Sequence, residues 1–294
     1  MRHAVLGMGA IGGLMATALS SVGEEVIAVV RYHKLTDYPK QLSLQQPMGT
    51  VTGTAHSVSK LTEDVDVLWI ATKAYHLESS LEAIETTPGM VVPLLNGVDH
   101  VALLRLRFGH DRVVPATIAV EANRLEEGRF EQRSAVRLNV ASSGERVFAP
   151  LLARLQEHLG FLCQFVPNEK TLLWGKLCFL APFALVTSAS GKNKGEIFAD
   201  VEWKARLFAA ISEAVTVAKA SGAEVESEKI QALFLTLPDT MRSSMIKDLL
   251  AGRRLELDAI GGPIVRGGAQ YGIGVSTTSD LMATIQSRAT VSYE

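Results

Sequence analysis

The first apolar run of this chain ends in three spaced glycines, and that junction limits the folds open to it more than any other feature. His3-Ala4-Val5-Leu6 has the composition of a buried strand, and Gly7-Met8-Gly9-Ala10-Ile11-Gly12 follows at once, before a helical stretch that begins near Ala10. A Gly-x-Gly-x-x-Gly run between a strand and a helix is the fingerprint of a dinucleotide site. Gly7 permits the tight turn, Gly9 lets the backbone approach a pyrophosphate, and Gly12 lets the helix pack closely on the strand. The first N–H groups of that helix face the anion.

The next strand bears on which dinucleotide. Val26-Ile27-Ala28-Val29-Val30 reads as the second strand of a βαβ unit, with Gly23 closing the helix before it. An NAD site usually carries a carboxylate near the end of this strand, bonded to the ribose 2′-hydroxyl. Here Arg31 stands there, followed by Tyr32, His33 and Lys34. A guanidinium binds a 2′-phosphate through two parallel hydrogen bonds, where a carboxylate would repel it. The reading is therefore NADP(H) rather than NAD.

The rest of the first half alternates short β-rich runs with helical ones, the pattern of a mostly parallel, helix-covered sheet. The expected strands are Val51–Ala55, Val65–Ala71, Met90–Leu95, Val113–Val120 and Val136–Val140, with helices such as His76–Ile84 and Val98–Arg107 between them. From about Lys170 the period is helical almost throughout: Thr171–Ser188, Trp203–Ser221, Ser227–Leu235, Thr240–Ala251 and Glu256–Gly272. Gly267 and Gly268 within the last of these point to a tight helix crossing. Val166-Pro167-Asn168 marks the boundary between a Rossmann-like α/β domain, 1–167, and an all-helical domain, 168–294.

Composition closes off other classes. A net charge of −2 gives no general hold on nucleic acid or anionic membrane. The apolar run Leu177–Val186 is too short to span a bilayer and contains Pro182. The glycine spacing near the N-terminus and the strand after it fit the nucleotide fold better than a signal peptide, so the expected setting is the cytoplasm. Cys163 and Cys178 lie in apolar stretches and read as buried thiols in a reducing compartment. The seven histidines show no ligand spacing, so no metal site is expected, and no Gly-x-Ser-x-Gly elbow is present.

Ligands of open α/β sheets bind beyond the carboxyl ends of the strands. Arg31, Thr72-Lys73 and Asn96-Gly97 are the polar punctuations at such ends. In the helical half, Leu172-Leu173-Trp174-Gly175-Lys176-Leu177-Cys178-Phe179-Leu180 sets one lysine in an apolar helix. A buried ammonium has a lowered pKa, which makes Lys176 a candidate general acid; a snorkelling surface lysine has the same sequence signal.

These landmarks together resemble the ketopantoate reductase (2-dehydropantoate 2-reductase) family over essentially the whole chain. The matching pieces are Gly7 to Gly12, Arg31, Thr72-Lys73-Ala74, Asn96-Gly97, Leu173 to Leu177, Gly195-Glu196, Ser243-Ser244-Met245, and Glu256-Leu257-Asp258 followed by Gly262 and Arg266. The resemblance implies NADPH-dependent reduction of a 2-keto acid, 2-dehydropantoate, in pantothenate and coenzyme A biosynthesis. It implies that Gly7, Met8, Gly9, Ala10, Ile11, Gly12, Arg31, Lys73 and Asn96 bind the cofactor. Lys176 donates the proton, Glu256 reaches the ligands and helps fix Lys176, and Ser244 holds the substrate carboxylate.

The chain departs from the family pattern on the substrate side. Leu180, Ala184 and Lys194 stand where the family carries asparagines that contact substrate. On an unbroken helix Leu180 and Ala184 share roughly the face of Lys176 and would line the substrate cavity, unless Pro182 kinks or re-registers the helix. Two further readings follow: a reductase of a more apolar 2-oxo acid, or a non-catalytic NADP(H)-binding protein. The expected partner is a small-molecule 2-keto acid, with neither nucleic acid nor membrane; a homodimer is kept open.

Overall fold

The computed structural model describes residues Met1–Val291. Two compact units emerge, one made of Met1–Leu95 with His100–Pro167, the other of Asn96–Asp99 with the chain from Asn168 on.

The first unit contains, in chain order, β1 (Arg2–Leu6), α1 (Ala10–Ser21), β2 (Glu25–Val29), β3 (Gln41–Gln46), β4 (Gly49–Thr54), β5 (His56–Val58), β6 (Val67–Ile70), α2 (Leu77–Leu81), β7 (Met90–Pro93), α3 (His100–Phe108), β8 (Ala116–Ala119), β9 (Ala122–Glu126), β10 (Arg129–Gln132), β11 (Arg137–Ala141), α4 (Glu145–Leu159) and β12 (Leu162–Val166). A five-stranded sheet has the order β5-β2-β1-β6-β7, and every neighbouring pair in it is parallel. Strands covered on both faces read as continuous apolar runs, and β1, β2, β6 and β7 do. The register pairs Leu6 with both Val29 and Ile70, so the carboxyl ends of β1, β2 and β6 lie level.

Two smaller sheets complete the unit. One has the order β4-β3-β10-β9, and the other β12-β11-β8. The expectation of a mostly parallel sheet holds for the five-stranded sheet only. β3, β5, β9, β10 and β12 are additional strands, and the two smaller sheets are mixed: β3–β4, β9–β10 and β8–β11 pair antiparallel, β3–β10 and β11–β12 parallel. Helix α1 touches both the parallel sheet and the β4-β3-β10-β9 sheet. That double cover explains why the run from Gly12 to Leu19 is entirely buried. Gly13 is the contact point: a Cβ there would collide with the ring of Phe130.

The second unit holds α5 (Glu169–Ser190), α6 (Lys194–Ala199), α7 (Val201–Ala220), α8 (Ser227–Leu235), α9 (Ser244–Leu250), α10 (Leu257–Tyr271) and α11 (Ser276–Val291). Asn168 caps α5 by accepting from the Lys170 and Thr171 N–H groups. α5 touches α7, α9, α10 and α11, which makes it the axis of the unit. It runs unbroken through Pro182, which is buried; burial on several sides offsets the hydrogen bond that proline removes. At 22 residues it is long and apolar enough to cross a membrane, unlike the shorter run read from sequence, but 78% of its most apolar stretch is buried against the unit's other helices. The glycines of α10 mark crossings: a Cβ on Gly267 would collide with Val217 of α7, and one on Gly261 would stand 2.5 Å from the sulfur of Met282 on α11.

Candidate active site

The glycine loop adopts the shape that its sequence requires. Gly7 has φ +96°, a conformation that side chains disfavour, and a Cβ on it would stand 2.8 Å from the backbone N of Thr72. A Cβ on Gly12 would collide with the carbonyl oxygen of Gly7, so helix and turn meet backbone to backbone. Gly9 faces open space, with nothing within 4 Å of its Cβ position. It is also the N-cap of α1 and provides no side-chain cap for the helix N–H groups.

Around this loop, Arg31 follows β2 with an exposed side chain that makes no ion pair among the described residues. Thr72 and Lys73 follow β6. The Thr72 hydroxyl is buried and has no hydrogen-bond partner among the described residues, an unusual state for a buried donor. Lys73 is half-buried at the entry to a short 3₁₀ turn.

The second unit gathers three of the expected residues. Lys176, on α5, donates through Nζ to Oδ1 of Asn96 at 2.9 Å. The same amide donates through Nδ2 to Oε2 of Glu256 at 3.3 Å. Asn96 thus bridges an ammonium and a carboxylate that lie 80 residues apart in the chain. Glu256 is buried and sits at the N-cap of α10, where the helix dipole favours a negative charge. Desolvation lowers the Lys176 pKa from 10.5 to about 8, and the negative charge of Glu256 opposes that fall. The ammonium is mostly charged at neutral pH and a much stronger acid than an ordinary lysine.

The remaining expected residues are placed as follows. Ser244 is exposed on the first turn of α9, while its neighbour Ser243 is buried, caps α9 by accepting from the Ile246 N–H, and lies 2.7 Å from the Thr187 hydroxyl of α5. Leu180 is partly buried and packs against the helical core. Ala184 has no accessible surface at all, so a cavity-lining role at that position is corrected: the side chain is a core residue. Lys194 is buried, pairs with Asp239 at 2.8 Å, and holds its ammonium 4.8 Å from the Phe198 ring centre. A buried cation with both an anionic and an aromatic partner is a satisfied structural group.

Burial pushes the thiols up, Cys163 to about 11 and Cys178 to about 12, so neither is poised as a nucleophile. Cys163 is only partly buried, against the expectation of a buried thiol. Among the described residues no cluster of three potential metal ligands occurs.

Comparison with known proteins converges on one family. Residues 3–145 match the model of Ketopantoate reductase PanE/ApbA, and residues 168–289 match Ketopantoate reductase PanE/ApbA C terminal. The 2-dehydropantoate 2-reductase of Caulobacter vibrioides is 31% identical over 97% of this chain and 98% of its own. A PanE/ApbA family ketopantoate reductase from Ralstonia eutropha superposes with a TM-score of 0.88 at 22% identity, covering all of both chains. A D-mandelate dehydrogenase, solved with NADH and anilino(oxo)acetate, gives 0.87 at 20% identity over 99% of each chain. These likenesses place the Rossmann-like sheet and the helical unit in a known fold. The chain belongs to the ketopantoate reductase (PanE/ApbA) family and is an oxidoreductase acting on a CH–OH group.

Proposed function

We propose that this enzyme uses NADPH to reduce a 2-oxo acid to the 2-hydroxy acid, with 2-dehydropantoate as the substrate and Lys176 as the proton donor. The observation that carries the reading is the Lys176–Asn96–Glu256 arrangement, an ammonium of lowered pKa held by an amide that is itself anchored by a buried carboxylate.

The first unit suits the cofactor. The open space at Gly9 accepts a pyrophosphate, the uncapped start of α1 provides N–H donors, and the Thr72 hydroxyl is a buried donor awaiting an acceptor. Arg31, exposed and free of carboxylates, suits the 2′-phosphate that distinguishes NADPH from NADH. Met8, Ala10, Ile11 and Lys73 complete the proposed binding surface. When bound, the nicotinamide supplies the hydride.

Negative charge develops on the substrate carbonyl oxygen as hydride reaches its carbon. The Lys176 ammonium stabilises that charge and transfers its proton, and solvent then reprotonates the amine. Glu256 keeps the lysine protonated near neutral pH and orients Asn96. Ser244 is proposed to hold the substrate carboxylate. A cytoplasmic setting suits the two unpaired cysteines.

Leu180 favours a second reading. An apolar side chain one turn beyond the proton donor cannot bond a substrate hydroxyl, which directs the enzyme towards 2-oxo acids with aliphatic side chains. The test is NADPH and NADH oxidation against a panel of 2-oxo acids that includes 2-dehydropantoate. Preference for NADPH with any 2-oxo acid supports the reaction, and the kcat/KM ranking decides the substrate. Tight NADPH binding with no turnover on the whole panel overturns catalysis in favour of a nucleotide-binding role.

A further inference from the structure

Asp258, Gly262 and Arg266 have no task in the proton transfer, yet they lie four residues apart on one face of α10. Arg266 donates through Nη1 to Oδ1 of Asp258 at 2.7 Å and through Nη2 to Oδ2 of Asp99 at 2.6 Å. Gly262 makes this possible. A Cβ there would stand 2.6 Å from Nη1, from Nη2 and from Asp258 Oδ1, so the guanidinium rests where a side chain would displace it. Gly97 makes a second contact nearby: it takes φ +88°, and a Cβ on it would collide with the carbonyl oxygen of Ala259 on α10. The segment Asn96–Asp99 therefore packs closely on α10 at Gly97 and is ion-paired to it at Asp99, and Asn96 is its first residue.

We propose that Arg266 is a positioning residue for proton transfer: bridging Asp258 and Asp99 over Gly262, it fixes the 96–99 segment on α10 and so keeps the Asn96 amide between Lys176 and Glu256. The inference rests on the reading of Lys176 as proton donor. The amide serves both charges in only one orientation, with its oxygen towards the ammonium and its N–H towards the carboxylate. The segment lies outside helix and strand, so no ladder of backbone bonds holds it. Arg266, Asp99 and Asp258 are all more than half exposed, so their pairing adds little to stability and variants should fold.

The test uses the full chain with NADPH and whichever 2-oxo acid the wild type reduces. Arg266→Met and Asp99→Asn should each lower kcat about tenfold, with the oxo-acid KM and the NADPH Kd within about twofold of wild type, since misplacing a reacting group chiefly slows the chemical step. Combining them should cost no more than either alone. Arg266→Lys should recover part of the loss, because an ammonium can pair with one carboxylate but cannot span both. Gly262→Ala keeps every charge and improves helix propensity; it should lower kcat while Tm holds or rises. Unchanged kcat in Asp99→Asn would overturn the proposal. So would a raised NADPH Kd in Arg266→Met alone, which would make the arginine a direct ligand contact.

A readout independent of turnover separates this proposal from the functional reading. The side-chain amide NMR signal of Asn96 should move towards that of a solvated asparagine in Arg266→Met and in Gly262→Ala. An unmoved signal overturns the positioning role. A wild type that reduces no oxo acid, with the signal moving as expected, overturns only the functional reading.

Discussion

Replacing Lys176 with methionine should change how stability depends on pH, by an amount set by the position of its ammonium. Desolvation brings that pKa from 10.5 to about 8. Each unit corresponds to about 1.4 kcal/mol, so keeping the lysine charged in the fold costs roughly 3 kcal/mol at pH 7, below both values. Methionine removes this cost but leaves Oδ1 of Asn96 without its donor, a penalty of about 1–3 kcal/mol. At pH 7 the two effects largely cancel, and the variant gains at most about 2 kcal/mol.

The pH dependence does not cancel. Between pH 8 and 10.5 the unfolded chain still binds a proton at Lys176 that the native state has released, so native stability rises with pH. From pH 7 to 9.5 the wild type should gain about 2 kcal/mol relative to Lys176→Met, which has nothing to titrate there. For a chain of this size 1 kcal/mol moves Tm by roughly 2–4 °C, so thermal scans of both proteins at the two pH values should show the Tm gap change by about 4–8 °C. A gap that stays constant would refute the desolvated ammonium and the tuned acid argued from it.

Three further outcomes follow from the same geometry. Arg31→Ala should weaken NADPH binding by about 1.5–3 kcal/mol and leave NADH nearly unaffected, measured by titration; equal losses for both would remove Arg31 from 2′-phosphate recognition. Glu256→Gln removes the charge that raises the Lys176 pKa, so the loss of kcat with rising pH should begin at lower pH than in the wild type, and an unmoved basic limb would show that the carboxylate does not act on the lysine. Leu180→Asn should shift kcat/KM towards 2-dehydropantoate over aliphatic 2-oxo acids by about 1–3 kcal/mol, and no shift would exclude this side chain from the substrate pocket. Ala184→Asn, by contrast, would bury an amide in the helical core and should cost stability.

What could be read from sequence follows the strength of the local signal. β1, β2, β6 and β7 are continuous apolar runs, three of them beside glycine turns, and both features are local. β3 and β10 are different: Leu42, Leu44 and Phe130 are their main inward residues, set among glutamines and charges, and such half-covered strands carry little periodicity. α11 carries a similarly weak pattern, since Leu281 and Ile285 are its only fully buried apolar residues among those described. Pro182 did not end the helix, which continues to Ser190. In the candidate site, the glycines, the strand-end arginine and the lysine in an apolar helix stood out in sequence as candidates through their residue type and position. The Asn96 bridge was not, because it joins residues 80 and 160 positions apart. Nor was the burial of Ala184 or the Lys194–Asp239 pair, which depend on how the helices pack.

Lys176, held by Asn96 and Glu256, is the proposed proton donor in NADPH-dependent reduction of a 2-oxo acid. The most direct test of that role is kcat for wild type and Lys176→Ala with the best oxo acid, alongside NADPH affinity measured by fluorescence titration. In the variant kcat should fall about 10²–10⁴-fold while the NADPH Kd stays within about twofold. Wild-type turnover in the variant would contradict that role.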